Sequence, residues 1–147
     1  MSGIIGGAGS KSGIIGQTEI DYEEGTFNVT AGSNSLYTDP NLCRYVKVGK
    51  LCWISGMIRV SSGGHNLILA TLPFTSNSDP SGGSGGAWGE VEIYRANVAD
   101  DTFYCNCLIS GNSTDLKLNQ NKDDTDTVYI EGETGAYYAF TITYKTK

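Results

Sequence analysis

The fold is decided by Leu51-Cys52-Trp53-Ile54-Ser55-Gly56-Met57-Ile58-Arg59-Val60, in which two kinds of side chain alternate. One face would carry Cys52, Ile54, Gly56, Ile58 and Val60, and the other would carry Leu51, Trp53, Ser55, Met57 and Arg59. Because successive side chains of a strand point to opposite faces, this pattern predicts a strand with one buried face. Gly56, on the buried side, indicates a bulge or a close approach of another group to the backbone.

The sequence before this strand predicts the other arm of a hairpin. Residues 44–48 alternate in the same way, and Gly49-Lys50 supplies a two-residue turn. The C-terminal segment repeats the pattern, with one face formed by Ala136, Tyr138, Phe140, Ile142 and Tyr144. In residues 88–95, Val91 and Ile93 alternate with the polar face of Glu90, Glu92 and Tyr94.

Shorter segments complete the expected strands. These are Thr26–Val29, Asn66–Leu72 (expected to be buried on both faces), Phe103–Ile109, Leu116–Leu118 and Val128–Ile130. The intervening loops are predicted at Gly32–Asn41, Ser61–His65, Ser76–Gly86 and Asn121–Asp126. About eight strands without a long amphipathic helix predict an all-β fold, a single antiparallel β-sandwich with a jelly roll as the expected topology.

The first 20 residues differ from the rest of the chain. They contain two near-copies of one peptide, Ser2-Gly3-Ile4-Ile5-Gly6 and Ser12-Gly13-Ile14-Ile15-Gly16, separated by five residues. So short a segment, rich in glycine, cannot form a core of its own, so we divide the chain into an extended arm (1–20) and a head (21–147). Paired isoleucines can lie in a groove or along a sheet edge of another protein. Ile4, Ile5, Ile14 and Ile15 are therefore the predicted anchoring residues, and two weak anchors on one arm reinforce each other.

Composition excludes several classes of partner. The formal net charge of −6 disfavours binding to a phosphate backbone, so no nucleic acid partner is expected. The sequence holds no run of about 20 apolar residues, which predicts no membrane span. The N-terminus lacks a basic segment followed by a continuous apolar one, which predicts synthesis in a cytosol without export by a signal peptide.

Catalytic and metal-binding patterns are weak. Cys43, Cys52, Cys105 and Cys107 are expected to be reduced, structural thiols. Too few ligands accompany His65, the single histidine, for a metal site, and nothing places a nucleophile beside it. The acidic segment 121–126 is either a calcium loop or, as we favour, a solvated turn. Glu90 and Glu92 are close enough for a glycosidase pair, but an outward polar face explains them as well. We expect no enzyme activity and no cofactor.

Aromatic side chains opposite the predicted core or near loop ends are the more useful signal. They are Trp53, Trp88, Tyr94, Tyr104 and Tyr137. Exposed tryptophan and tyrosine mark the recognition of sugars or proteins, and they are also enriched where subunits meet. The sequence leaves both interpretations open and favours the subunit interface.

Two groups of motifs resemble the fibre and spike proteins of phages and marine viruses. Ser10-Lys11-Ser12-Gly13-Ile14-Ile15-Gly16 is similar to the SKSGxIG peptide of those proteins, and residues 21–27 are similar to their YEEGTW-TP segment. Residues 44–58 resemble the family's YxKVGxxVxxxGxI strand pair, and Ala70-Thr71-Leu72-Pro73-Phe74 resembles its xxLPF strand end. The chain departs from the family at Phe27, where tryptophan is usual, and at Asn28-Val29. The resemblance covers about the first half of the chain.

The resemblance implies a structural protein of the virion. The expected protein is a homotrimeric jelly-roll appendage, assembled in the bacterial cytoplasm and attached through the arm to another virion protein of the capsid or tail. Its short length favours a head fibre or capsid decoration. The alternative is the receptor-binding tip of a tail fibre, which would recognise host cell-surface glycans through loops Ser33–Asn41, Ser61–His65 and Ser76–Gly86. The sequence does not choose between capsid and tail, and it does not identify the host.

Overall fold

The computed structural model describes residues 21–78, 86–98, 102–122 and 127–147, which form an all-β fold without a helix. The strands are β1 (Tyr22–Phe27), β2 (Ser35–Val48), β3 (Leu51–Ser62), β4 (Ile68–Leu69), β5 (Ala87–Tyr94), β6 (Thr102–Ile109), β7 (Leu116–Lys122), β8 (Val128–Tyr129) and β9 (Tyr137–Lys145). No helix in the described ranges is long and apolar enough to cross a membrane.

The strands form one curled antiparallel sheet. Its order is β1-β2-β3-β9-β5-β6-β7-β4, and β8 pairs with β7. An isolated antiparallel bridge joins Thr30, just after β1, to Ala70, just after β4. The two ends of the strand order therefore meet, and one face of the sheet encloses the core while the other faces outward.

The core confirms the two strongest alternating patterns. Cys52, Ile54, Ile58 and Val60 of β3 are all buried, as are the five inward residues of the C-terminal segment, Ala136, Tyr138, Phe140, Ile142 and Tyr144. They meet inward residues of the opposite strands, namely Cys107, Ile109, Leu116 and Leu118. The predicted Gly49-Lys50 turn is also confirmed, with Gly49 at a φ of 58° that favours glycine.

The expected boundaries near the N-terminal side of the head are wrong. The first strand was expected at Thr26–Val29, but residues 22–25 before it already belong to β1, which pairs along its whole length with β2. Most of the expected loop Gly32–Asn41 belongs to β2, which continues through a cis Asp39-Pro40 bond with a register shift against β3. Polar composition indicated a loop here, but pairing with neighbouring strands overrides local preference.

The apolar run Asn66–Leu72 is also different from its prediction. Only Ile68–Leu69 forms a strand, and the run is not buried on both faces. Leu67, Leu69 and Leu72 are buried, whereas Asn66 is exposed and Ile68 is half-buried. A run of apolar residues is compatible both with a strand buried on two faces and with an irregular segment that points alternate side chains inward.

Candidate functional site

The two ends of the sheet are chemically different, and we name them by their position relative to Asp21. At the proximal end, the Gly49 N–H donates to the Asp21 carbonyl at 2.6 Å, and the Thr146 N–H donates to the Lys50 carbonyl at 2.7 Å. The register then runs along β3 and β9 from the Leu51–Lys145 pair to the Arg59–Tyr137 pair at the distal end. Eight residue steps at roughly 3.3 Å each separate these ends by roughly 26 Å.

An open groove of about 410 Å³ lies on the outer face at the distal end. Its walls are formed by Met57, Glu92, Tyr94, Arg95, Tyr137 and Ala139. The rings of Tyr94 and Tyr137, which are paired across β5 and β9, lie 6.0 Å apart at their centroids and are tilted by 50°. The pair presents apolar ring surface to solvent, and Tyr94 is 61% exposed.

Arg59 stands beside this groove and links it to β2. Its guanidinium carbon lies 4.5 Å from the Tyr37 ring centroid and 5.0 Å from that of Tyr137. This arrangement gives Arg59 two cation–π contacts. Among the described residues, the buried Nε of Arg59 has no hydrogen-bond partner. A second cation, Arg95, lies with its guanidinium carbon 5.4 Å from the Tyr94 ring centroid.

The groove therefore combines aromatic surface with polar groups of both signs. Sugar rings stack on tyrosine faces through their apolar C–H surfaces, while Arg95 and Glu92 can hydrogen-bond to hydroxyls at the rim. Few convergent polar groups around an apolar concavity are the usual composition of a small-ligand site.

The predicted aromatic residues are all on the outer face, but only two of the five form the groove. Tyr104 is 60% exposed on β6 and pairs in register with Asn121. Trp53 and Trp88 are also exposed, and they lie toward the proximal end. The structure therefore separates Trp53 and Trp88 from the tyrosine pair.

The predicted anchoring residues Ile4, Ile5, Ile14 and Ile15 lie outside the described residues, as does most of the acidic segment, 123–126. The three loops proposed for receptor binding do not gather at one place. Ser61–His65 is at the distal end, whereas Ser76 bridges to Thr146 at the proximal end. Residues 79–85 of the third loop are outside the described part of the chain.

Sequence reasoning placed Arg59 and Met57 on the outer face without assigning them to a site, and it missed Tyr37 and Arg95. Tyr37 falls in the segment predicted as a loop. Its contact with Arg59 depends on the pairing of β2 with β3, which no local pattern reveals. The alternation of β3 did indicate that Arg59 and Met57 share a face.

The cysteines are all free, and three of the four are buried. Burial raises the pKa of Cys43 and of Cys107 to about 12, because a thiolate would lose its hydration there. Such thiols are poor nucleophiles at neutral pH. Within the described ranges, no three histidine, cysteine, aspartate or glutamate side chains are grouped as metal ligands.

Comparisons with protein-family models, with curated proteins and with solved structures find no significant match for this chain.

Proposed function

We propose that this chain is a non-enzymatic structural protein of a phage virion, a trimeric fibre or decoration protein of the capsid. Residues 1–20 attach it to another virion protein, and the head displays its distal end away from the particle. The motifs of the first half of the chain support this proposal by their resemblance to viral fibre and spike proteins.

One structural observation carries the proposal. The arm joins the head at Asp21, at the proximal end, whereas the groove of Tyr94 and Tyr137 lies at the opposite end of the sheet. A protein anchored through its arm would thus present the groove outward. Asp21 is itself held to β2, since the Lys47 ammonium lies 2.6 Å from its carboxylate. The head therefore begins with an ordered contact at the junction.

The finer architecture belongs to the same proposal. The half β1-β2-β3-β9 and the half β5-β6-β7-β4 act as the two layers of a sandwich of jelly-roll type, with the arm extending from β1. One core cluster includes inward residues of both halves, for example Ile54 of β3 and Leu118 of β7, which supports this description.

The direct test is removal of the arm. We expect a chain starting at Gln17 to fold with unchanged melting behaviour. It should fail to join particles when it is added to virions that lack this protein. A full-length chain with Ile4, Ile5, Ile14 and Ile15 changed to serine should fail in the same way and controls for the lost length. Assembly of the truncated protein at the normal level would refute the anchoring role.

A second candidate function, recognition of a host surface glycan at the distal end, is favoured by the adjacent, tilted rings of Tyr94 and Tyr137 beside Arg95 and Glu92. We expect binding in a glycan array to be lost in Tyr137→Ala and Tyr94→Ala, and retained in Tyr104→Ala. Tyr104 is a matched control because it is an exposed tyrosine of the same face outside the groove. Equal binding by all three variants would exclude the groove, and turnover of a polysaccharide by the purified chain would contradict the non-enzymatic function.

A further inference from the structure

The middle of the outer face carries opposite charges at its two sides. The strand registers place Arg44, Ser55, Thr141 and Glu90 in one row across β2, β3, β9 and β5. At about 4.8 Å per strand, Arg44 and Glu90 stand roughly 14 Å apart, too far for a direct ion pair. Glu92 follows Glu90 on the same face, so the row is acidic at its β5 end and basic at its β2 end, at Arg44. Glu24 of β1 also lies on this face, opposite Val46, and accepts a hydrogen bond from the Tyr22 hydroxyl at 2.6 Å.

These charges have no partner of their own in the described part of the chain. Arg44, Glu90 and Glu92 are all exposed, and none of them forms an ion pair or a side-chain hydrogen bond there. Lys47, by contrast, pairs with Asp21. An exposed charge without a partner is ordinary by itself, but here each sign is confined to one side of the same row.

The surface around this row is largely apolar, and it includes an open concavity of about 460 Å³ lined by Glu90, Glu92, Ala139 and Thr141. Ser55, Thr141 and Ala139 are small side chains at its centre, where another surface can approach the sheet closely. Leu42, Trp53, Met57 and Trp88 surround them, each more than 40% exposed. A group of large exposed apolar side chains on one face marks an interaction surface. We call this area the central patch.

We infer that the central patch is an interface between copies of this chain, in which Arg44 of one copy lies against Glu90 and Glu92 of the next. The occupant is identified by charge. Only a surface that is acidic where the patch is basic, and basic where it is acidic, satisfies both sides, and a second copy of the patch meets that requirement. Around a threefold axis the β2 side of one copy meets the β5 side of the next, so this inference, which rests on the proposed function, supplies a contact surface to its trimer.

The test is a charge exchange in the full-length protein, followed by light scattering and sedimentation over a range of concentrations. We expect Arg44→Glu to weaken self-association by about tenfold or more, and Glu90→Arg/Glu92→Arg to do the same, because each places like charges together. The combined variant Arg44→Glu/Glu90→Arg/Glu92→Arg should associate again, since the two charges are then exchanged within each copy and opposite charges meet at every contact. Lys50→Glu, an exposed charge reversal at the hairpin turn, is the matched control and should have no effect.

Each outcome decides a different point. A trimer that the single-sided variants weaken and the combined variant restores supports both the interface and the proposed function. A dimer with the same response supports the interface but contradicts the trimer. A wild-type chain that stays monomeric at all concentrations overturns the interface, and so does an oligomer indifferent to the exchange. Loss of association on removal of residues 1–16 alone would assign self-association to the arm instead of the central patch, and would also overturn the interface. Unchanged circular dichroism of each variant shows that the head is folded.

Discussion

Phe140 lies over the bare backbone of Gly56, its partner across β3 and β9. A Cβ atom on Gly56 would sit 2.8 Å from the ring carbon Cζ of Phe140 and would also collide with the sulfur of Cys43. The close approach expected from a glycine on the buried face of β3 is therefore confirmed, and Gly56 is there to leave room for the ring.

Gly56→Ala should consequently destabilise the head. Neither the ring nor the thiol is at the free end of a flexible chain, so the methyl group forces a shift of the core, and overpacking of this kind costs about 1–3 kcal/mol. The free energy of unfolding in urea measures the effect. Ser55→Ala, one residue away on the outer face, should change it by no more than about 0.5 kcal/mol. An equally mild result for Gly56→Ala would show that the core adapts at this point.

Truncation of the core tests the alternating pattern itself. Ile54 and Phe140 are both buried. Ile54→Ala or Phe140→Ala should each lower the free energy of unfolding by about 2–5 kcal/mol, because a cavity remains where the side chain packed. Denaturant melts at fixed pH provide the measurement. A loss of only about 0.5 kcal/mol in the free energy of unfolding, as for a surface substitution, would mean that these side chains are not enclosed in the core.

Asn34 should be a key residue of the distal loops. Its side-chain NH2 donates to the carbonyls of His65 (3.0 Å) and Asn66 (3.1 Å), and its oxygen accepts from the His65 N–H at 3.2 Å. Asn34→Ala leaves the part-buried His65 N–H without its acceptor and removes one of the two donors to each carbonyl, which keep the N–H groups of Gly132 and Ile68, at a cost of about 1–3 kcal/mol.

Asn34→Asp should be worse than Asn34→Ala, since it turns the donor into an acceptor facing two carbonyls. Thermal melts of the two variants, with exposed Asn28→Ala as the control, check the order. If Asn34→Asp were as stable as the wild type, the hydrogen bonds from Asn34 to the carbonyls would not contribute to the stability of the head.

The buried thiols predict a loss of stability at alkaline pH. In the unfolded chain the thiols ionise near their ordinary pKa of about 9, whereas burial raises the pKa of Cys43 and Cys107 to about 12 in the fold. The unfolded state thus releases its protons first, and the stability that these groups contribute is complete below pH 9 and falls as the pH rises toward 12.

Urea midpoints between pH 8 and pH 11 measure this slope. The Cys43→Ala/Cys107→Ala variant should start from a lower stability but decline less steeply over the range. Part of the slope should persist, because burial also raises the pKa of Tyr138 and of Tyr144. Parallel slopes for the variant and the wild type would mean that the thiols ionise normally in the folded head.

Local pattern predicted the interior of the long strands better than it predicted their ends. The buried faces of β3, β5 and β9 follow from alternation. A shift of one residue along the strand would turn every side chain to the opposite face, and the apolar side chains would then face water. The extent of β1 and β2 does not follow from composition. Their polar residues are held in strands by pairing with a neighbour, which is a property of the partner sequence as much as of their own.

The candidate groove shows the same division. Tyr94 and Tyr137 were recognised as outward aromatic residues, but nothing in the sequence indicated that they are partners. Residues 43 positions apart meet because β5 and β9 are adjacent in the sheet. Arg59 and Tyr37 likewise meet through the pairing of β2 with β3, although the sequence predicted a strand around Arg59 and a loop around Tyr37.

By itself, the sequence determined that the head is built of antiparallel strands and which side chains of β3 and β9 face inward, since both follow from the two-residue period of an extended chain. Only the tertiary structure decided the strand order, and with it the placement of Arg44 and Glu90 in one row and of the tyrosine groove at the end away from Asp21. The physical reason is that strand pairing joins backbone groups, which every residue carries, so the choice of neighbour depends on how the whole sheet closes around its core.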